Sequence, residues 1–424
     1  MLRHLSVQVL IALVIGLLVG AGLQAIGDPR AVGVVETIEA FGGLWLNALR
    51  MTVVPLVFAL IVVGVASVAD AASTGRLAAK AIGVFVVLLL LAAVYGVLGT
   101  MGLLALWPVD LQSAAALVSG AQARAAQIPE PPGFAAWIRS IAPSNPLKAA
   151  AEDAILPLVV FGVFFGFAAT RLSEHLRRTL IDVFNAVSEA MIVIVRWVLI
   201  AAPLGVFALS LGVGLRAGAG AAGVLVHYII VVSAVTAGST LLAYLPALLA
   251  GENLGKFARA VAPVQTIAFS TQSSLACLPA MVERCKDVLG IPERVTGLVL
   301  PLAVAVFRFT SPVANLAVCF FVAEVYGLDP TPLQIGGAIL VAFAVSVGSV
   351  GLPGQISFIA SVAPICLALG VPIELLPILL AVEVIPDIFR TLGNVTADMS
   401  VTSLLHRRTR EGAATEAIAA DATA

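Results

Sequence analysis

Residues Glu383 to Asp398 read Glu-Val-Ile-Pro-Asp-Ile-Phe-Arg-Thr-Leu-Gly-Asn-Val-Thr-Ala-Asp, inside the last long apolar segment of the chain. Five polar residues, Glu383, Asp387, Arg390, Asn394 and Asp398, follow one another at intervals of 4, 3, 4 and 4 residues. On an α-helix this spacing forms one narrow row about 22 Å long, which we call the polar stripe. An ionisable group at bilayer depth costs about 2.5 kcal/mol or more. The stripe therefore needs partners or a polar cavity, and it is the candidate functional site.

Composition places the chain in one broad class. Of its 424 residues, 61% are hydrophobic and only 11% are charged, and the mean hydropathy is +1.10. A soluble domain of this length does not have such a composition, so we expect an all-α polytopic membrane protein. The net charge of -1 argues against nucleic-acid binding. The four cysteines have no metal-ligand spacing, and we predict neither a metal site nor a cofactor.

The apolar segments predict eight transmembrane helices, because each is long enough to span a bilayer. They cover residues 5–26, 42–69, 80–107, 133–170, 185–214, 221–250, 296–326 and 372–405.

Two further stretches, 253–287 and 331–370, each hold two short apolar runs around a polar or glycine-rich tip. They indicate re-entrant helical hairpins, and non-helical backbone at that depth is tolerated only where protein or water covers it. A pair of interrupted segments in corresponding positions is typical of a transporter binding site built from inverted repeats.

The distribution of basic residues predicts the orientation. If both termini are cytoplasmic, most arginines and lysines fall on the cytoplasmic side, and few, such as Arg30, Arg124 and Arg216, fall opposite. We therefore expect a multi-pass protein of the inner (cytoplasmic) membrane with both termini inside. The small polar tail 411–424 is predicted to be disordered.

The stripe resembles a known family, the dicarboxylate/amino acid:cation symporters, which includes archaeal aspartate transporters and animal excitatory amino acid transporters. Asp387, Arg390, Thr391, Asn394 and Asp398 match the family pattern D-x-x-R-T-x-x-N-x-x-x-D. The serine-rich tip 271–279 and the second tip, Gly-Leu-Pro-Gly at 351–354, resemble the family hairpins, and the likeness covers nearly the whole chain.

This resemblance implies an elevator-type homotrimer with eight helices and two hairpins. The scaffold would be formed by 1–70 and 133–214. The transport domain would be formed by 80–107 and 221–408.

The resemblance also implies how an acidic amino acid would bind. Arg390 would bind the distal carboxylate as a fork, and Asp387 would accept the substrate ammonium. Thr391 and Asn394 would bind the amino and α-carboxylate groups. Backbone amides at the two tips would hold carboxylates, with Ser273 and Ser274 lining the first tip and Gly351, Pro353 and Gly354 forming a mobile second tip.

Simpler interpretations remain open for these residues. Asp387 and Arg390 could form a buried ion pair that serves only the structure. Ser273 and Ser274 could cap a helix. The second tip could be an ordinary turn.

The sequence departs from the family at the sodium ligands. The family carries N-M-D-G-T in the helix before the second hairpin, and this chain reads Phe307-Arg308-Phe309-Thr310-Ser311 at the aligned positions. Phe85, Leu88 and Leu89 align with another group of sodium ligands in the third helix. One sodium site has therefore lost almost all its side-chain oxygens, and the other keeps Asp398 and Asn394.

Arg308 lies mid-segment, where an unpaired cation is costly. We hypothesise that its guanidinium replaces a sodium ion and pairs with Asp398 or with the substrate. A purely structural pair, or a position facing another cavity, is the alternative.

Glu383 is the candidate proton carrier, since a buried carboxyl group can hold a proton at neutral pH. It could equally accept hydrogen bonds from Arg308 or pack between helices. The sequence leaves proton symport, residual sodium coupling and a passive facilitator open.

Three functions compete. A secondary active transporter for aspartate, glutamate or related C4-dicarboxylates is favoured by the paired broken segments. An anion channel or uncoupled facilitator would use the same stripe. An intramembrane enzyme is disfavoured, because the chain contains no H-E-x-x-H, G-x-S-x-G, Rossmann or P-loop pattern.

Overall fold

A computed structural model of the chain describes residues 2–26, 29–73, 75–120, 139, 141–152, 154–217, 220–348 and 354–421. Within these ranges the chain forms nineteen helices and no strand. The first nine are α1 (Leu2–Ile26), α2 (Pro29–Arg50), α3 (Val53–Ser73), α4 (Arg76–Leu106), α5 (Leu111–Gly120), α6 (Pro146–Ala151), α7 (Ile155–Ala169), α8 (Glu174–Ile200) and α9 (Ala202–Ala217). The others are α10 (Gly220–Leu242), α11 (Leu245–Leu249), α12 (Leu254–Thr271), α13 (Ser274–Asp287), α14 (Glu293–Val306), α15 (Thr310–Val325), α16 (Pro332–Gly348), α17 (Gly354–Leu369), α18 (Leu376–Val382) and α19 (Val384–Asp421).

Several helices are long and apolar enough to cross a membrane. Six such spans occur in the described residues: Gln8–Ile26, Val32–Ala69, Arg76–Leu106, Glu174–Ile200, Ala221–Leu249 and Glu293–Val325. Four shorter apolar helical stretches accompany them. The expectation of an all-helical, multi-pass chain agrees with this architecture, and the number of eight transmembrane helices stays a prediction.

Six of the predicted continuous segments are interrupted, and each has a break that precedes a proline. These breaks lie before Pro55 in α3, Pro157 in α7, Pro203 in α9, Pro246 in α11, Pro312 in α15 and Pro386 in α19. Each proline occupies the second or third position of its helix. Proline lacks the N–H that would continue the previous helix, but it is tolerated in a first turn, where that N–H has no intrahelical acceptor. The segments 42–69, 133–170, 185–214, 221–250, 296–326 and 372–405 therefore each contain more than one helix.

Two helix pairs lie where the sequence predicts hairpins. Helix α12 packs on α13, and α16 packs on α17. The first pair turns at Gln272, which has a left-handed backbone (φ 51°), followed by Ser273 as the N-cap of α13. The second turn lies at 349–353, outside the described residues. Whether the pairs enter and leave the bilayer on one side stays a prediction.

Helix α15 lies at the centre of the packing around the stripe. All of its residues except Glu324 are buried. It packs against α4, α10, α17 and α19, and α19 packs in turn on α10, α12 and α14. Elsewhere α1 packs on α9, and α3 packs on α7 and α8. Helix α3 also packs on α16, so the division into scaffold and transport domain stays a prediction.

The C-terminal end holds the tail 411–424, whose disorder stays a prediction. Helix α19 continues to Asp421, and residues 422–424 lie outside the described part. The residues concerned read Glu-Gly-Ala-Ala-Thr-Glu-Ala-Ile-Ala-Ala-Asp. Alanine and glutamate are strong helix formers, so the local propensity favours continuation of a helix that is already nucleated.

The close approach of α4 to α15 depends on Gly96, and this can be tested. A Cβ at position 96 would lie 2.8 Å from the Val313 Cα, whereas a Cβ at Gly102, on the same helix, would meet nothing within 4 Å. We expect Gly96→Ala to destabilise the protein by about 1–3 kcal/mol through overpacking. Gly102→Ala is the matched control, and it should be neutral or stabilising by up to about 1 kcal/mol. Thermal unfolding in detergent measures both, and equal effects would contradict the packing.

Candidate functional site

One cavity collects most of the predicted site residues. It is lined by Gln272, Ser273, Ser274, Ala303, Val304, Phe307, Arg308, Asp387, Arg390, Thr391, Asn394 and Asp398. The first helix pair, the break between α14 and α15, and the polar stripe of α19 therefore meet at one point. The space open to the centre of a water molecule is about 20 Å³. This is room for water but not for an amino acid, so any larger ligand requires movement of the lining.

The start of α15 is fastened to the stripe by Thr310. Its backbone N–H donates to Asn394 Oδ1 at 2.9 Å, and its hydroxyl lies 2.9 Å from the same oxygen. The hydroxyl also lies 2.8 Å from the Arg390 carbonyl. Gly393 permits this approach, because a Cβ there would lie 2.4 Å from Thr310 Cγ2. Since the carboxamide oxygen of Asn394 is engaged, its amino group is the part that can serve a ligand.

Arg390 lies in a buried polar network. Its Nη2 lies 2.5 Å from Glu383 Oε1, and its Nη1 donates to Asn315 Oδ1 at 2.9 Å. Tyr228 on α10 donates its hydroxyl to the other oxygen of Glu383. The arginine is only 7% exposed and the glutamate 1%. The cation is thus held by a glutamate and an asparagine, in a geometry that suits a carboxylate.

This network differs from two of the pairings that the sequence suggests. Arg308 was a candidate partner of Glu383, and Asp387 a candidate partner of Arg390, but the ion pair of Arg390 is made with Glu383. Glu383 lies directly before α19, and Arg390 follows seven residues later, about two helical turns on. The two side chains therefore lie on one side of this segment, and Arg390 reaches back to the glutamate. Sequence reasoning missed Tyr228 and Asn315. The asparagine in the middle of the apolar stretch Pro312–Ala323 of α15 was the available signal.

Asp387 and Thr391 lie on the cavity wall between these groups. The Thr391 hydroxyl donates to the Asp387 backbone carbonyl at 3.1 Å. Both side chains are buried. Asp387 and Arg390 thus line the same cavity, and their use by a two-ended ligand stays a prediction.

Arg308 and Asp398 line the same cavity but do not form an ion pair. Arg308 lies in the non-helical stretch 307–309 between α14 and α15. Among the described residues, no carboxylate oxygen lies within 4 Å of its guanidinium, so the predicted pair with Asp398 is not formed here. Asp398 is 1% exposed, and its Oδ1 accepts no hydrogen bond. The cavity thus holds a cation and a buried carboxylate oxygen that remain available to a ligand.

Aromatic rings fill the region to which the resemblance assigns sodium ligands. Phe85 of α4 and Phe307 stack with centroids 4.6 Å apart and an interplanar angle of 15°. Both rings are almost wholly buried, and Phe309 lies 5.9 Å from Phe307. Within the described residues, no group of three or more histidine, cysteine or acidic side chains could hold a metal ion. A stacked pair of phenylalanines supplies no oxygen to a hard cation.

The tip of the first helix pair contributes the N-cap of α13 and part of the cavity wall. Ser273 Oγ accepts from the Ala276 N–H at 3.3 Å, so this serine caps α13, which was the simpler of its two interpretations. Ser274 is the first residue of α13 and also lines the cavity. Gln272 donates to the Val384 carbonyl at 3.3 Å. Gly354 begins α17, whereas Gly351 and Pro353 lie outside the described residues.

Comparisons with known proteins agree with this arrangement. The family model of the sodium:dicarboxylate symporter family matches residues 5–408. The chain is 29% identical to the proton/glutamate-aspartate symporter of Escherichia coli (strain K12), over 96% of this chain and 94% of that protein. It is 28% identical to the proton/sodium-glutamate symport protein of Bacillus caldotenax, over 92% and 91%. It is also 28% identical to the C4-dicarboxylate transport protein of Rhodopseudomonas palustris (strain BisB18), over 93% and 86%. The chain therefore belongs to the sodium:dicarboxylate symporter family.

Proposed function

We propose that this protein is a symporter that carries aspartate or glutamate, or a related C4-dicarboxylate, together with protons rather than sodium. Family membership makes the chain a multi-pass membrane transporter and not an enzyme. The observation that carries the finer proposal is the Glu383–Arg390 ion pair beside the cavity. In that pair, a titratable carboxylate holds the cation that an acidic substrate would need.

Substrate recognition follows from the positions of the charges. Arg390 can exchange the carboxylate of Glu383 for the distal carboxylate of the substrate, since both are planar two-oxygen acceptors. Asp387 is the counter-charge for an ammonium group on the same wall of the cavity. A dicarboxylate without an ammonium would face Asp387 as a like charge. This favours an acidic amino acid over succinate.

Sodium independence is supported by the side chains that occupy the region to which the resemblance assigns sodium ligands. The Phe85–Phe307 stack fills space where a cation would need oxygen ligands. Arg308 brings a fixed positive charge to the cavity, and Asp398 leaves an oxygen without a hydrogen bond. We infer that a bound substrate carboxylate, or a small shift of the 307–309 turn, brings Arg308 into an ion pair.

Proton coupling follows from competition for Arg390. While Glu383 is charged, it occupies the guanidinium and also accepts from Tyr228. Protonation removes its charge, which frees Arg390 for the anion, so proton and substrate bind together. Loss of the substrate returns Arg390 to Glu383 and expels the proton. Such coupling requires only that the substrate binds more tightly when Glu383 is protonated than when it is charged.

The proposed movement during transport is the one that the family resemblance implies. We propose an elevator in which 80–107 and 221–408 move as a transport domain against a scaffold of 1–70 and 133–214, within a homotrimer. Both termini would be cytoplasmic, and the second tip, 351–354, would act as the gate. The small cavity volume supports a gating movement, because no amino acid enters without it.

The first test concerns Arg308. We expect the affinity for L-aspartate to be the same in sodium and in choline at constant ionic strength. Arg308→Met should weaken binding by at least about 30-fold, as expected for truncation of one member of a buried charge pair. Thermal shift or scintillation proximity measures both. Arg196→Met, on an exposed part of α8, is the control and should bind normally. An affinity that rises steeply with sodium would reject the role of Arg308.

The second test separates amino acids from plain dicarboxylates. Asp387→Ala should weaken L-aspartate binding by at least about 30-fold, because the ammonium loses its counter-charge. Succinate binding, measured in the same assay, should be unchanged or improved. Asp329→Ala, in the exposed turn after α15, is the control. If L-aspartate affinity survives in Asp387→Ala, the assignment of the ammonium site is wrong.

The third test addresses the coupling ion. In proteoliposomes, an inward proton gradient should drive L-aspartate uptake above equilibrium, and a sodium gradient alone should not. Glu383→Gln should reduce proton-driven uptake by at least about tenfold, because the amide cannot exchange a proton, yet exchange of internal for external L-aspartate should persist. Uptake is measured with radiolabelled substrate.

Controls for this test exclude loss of folding and passive flow. Glu324→Gln, outside the cavity on α15, should keep proton-driven uptake. Thermal unfolding should confirm that Glu383→Gln is folded. Wild-type uptake that ignores an imposed proton gradient would reject symport and leave an uncoupled facilitator, and an unsaturable current would indicate an anion channel.

A further inference from the structure

Two thiols outside the cavity lie in direct contact. The Sγ atoms of Cys319 and Cys366 are 3.1 Å apart, and both side chains are fully buried. Cys319 lies on α15, and Cys366 lies on α17, the second arm of the second helix pair. The two residues are 47 positions apart in the sequence, so the fold alone brings them together. Helices α15 and α17 therefore contact each other at this point through two thiols that can be oxidised.

A second hydrogen bond holds the Cys319 side of the contact. Cys319 Sγ also lies 3.7 Å from the carbonyl of Val362, one turn before Cys366 on the same helix. A disulfide has its sulfurs about 2.05 Å apart, so a shift of about 1 Å would close the bond. Small rotations of the two side chains can supply such a shift without moving the helices far. The pair is therefore arranged for an intramolecular bond.

The position of the pair connects it to the site. Asn315, one turn before Cys319 on α15, accepts a hydrogen bond from Arg390. Helix α17 leads directly from the second tip, since it begins at Gly354. A covalent bond between Cys319 and Cys366 would tie the arm that follows the tip to the helix that holds the substrate-binding arginine.

We propose that Cys319 and Cys366 form a redox-sensitive modification site whose oxidation to a disulfide clips α17 to α15 and arrests transport. The arrest rests on the proposed function, in which the second tip opens as a gate, because α17 carries one side of that tip and α15 is the helix it would have to move against. The bond formation does not rest on it. The oxidant must be a small, uncharged, membrane-permeant two-electron acceptor, because both thiols are buried away from water.

The chemistry balances with a diazenedicarboxamide such as diamide. One thiol adds across the N=N bond and forms a sulfenyl hydrazide. The second thiol attacks that sulfur, and the S–S bond forms while the S–N bond breaks. The two sulfurs together lose two electrons and two protons, and the diazene becomes the hydrazine. Reduction by a permeant dithiol reverses the change.

The other two cysteines provide an internal control. Cys277 and Cys285 both lie on α13 and are buried. Cys277 Sγ lies 3.9 Å from the Val264 carbonyl, and within the described residues neither sulfur contacts another thiol. The double variant Cys277→Ser/Cys285→Ser therefore keeps the proposed pair, whereas Cys319→Ser or Cys366→Ser leaves one member without a partner.

The experiment treats the full-length protein in proteoliposomes with diamide, then removes the oxidant, unfolds the protein and alkylates the remaining thiols. Mass spectrometry of the peptides should find Cys319 and Cys366 linked to each other and not alkylated. Cys277 and Cys285 should both be alkylated. Uptake of L-aspartate should fall by at least about tenfold and recover after a permeant dithiol. The Cys277→Ser/Cys285→Ser protein should respond like wild type, and the two single variants should keep their uptake.

Each of the other outcomes would contradict one named part of the proposal. Four alkylated cysteines after oxidation would overturn the pair itself. A Cys319–Cys366 disulfide with unchanged uptake would overturn the arrest. The peptide linkage is read without any transport measurement, so failure of the proposed function, seen as no L-aspartate uptake before oxidation, is distinguished from failure of the pair.

Discussion

The buried ion pair between Glu383 and Arg390 is the constraint around which the site is organised. Two charges removed from water are tolerated only when the remaining donors and acceptors also find partners. Tyr228 from α10 and Asn315 from α15 meet that requirement, since one donates to the glutamate and the other accepts from the arginine. Two other helices, α10 and α15, are thereby oriented toward the Glu383–Arg390 pair. Removing the charge of Glu383 would leave Arg390 buried without its counter-ion, and this is the imbalance that a substrate carboxylate would relieve in the proposed cycle.

Broken helices supply the rest of the geometry. The interruption at 307–309 exposes the first N–H groups of α15, and Thr310 directs one of them to Asn394. The break at Glu383 separates α18 from α19, and Pro386 in the first turn of α19 explains it. Non-helical backbone is acceptable at these points because α15 is buried on all sides and the cavity is lined with polar groups. The same interruptions that weaken the helices therefore create donors at the site.

Local patterns in the sequence predicted the stripe and the helix pairs but not the pairings between distant residues. The 4, 3, 4, 4 spacing places Asp387, Arg390, Asn394 and Asp398 on one wall, and the cavity contains all four. The partners of Arg390 and the contact of Cys319 with Cys366 join residues far apart in the chain, and no periodicity encodes them. The helix breaks could have been predicted, because six prolines mark the second or third positions of the helices that begin after these breaks.

The substitutions at 307–309 also bear on where the driving force must come from. Relative to the family pattern N-M-D, the chain loses one aspartate and gains Arg308, and each change raises the fixed charge by one unit, or two units together. Two monovalent cations would contribute the same charge to the loaded site. A tethered guanidinium can attract the anion as they do, but it cannot leave with the substrate, so it carries no gradient. Under the proposed sodium independence, the energy must come from a group that exchanges an ion with water. Among the residues of the polar network, the proposal assigns this task to Glu383, because its charge is matched to Arg390 in one state and would be cancelled by a proton in the other.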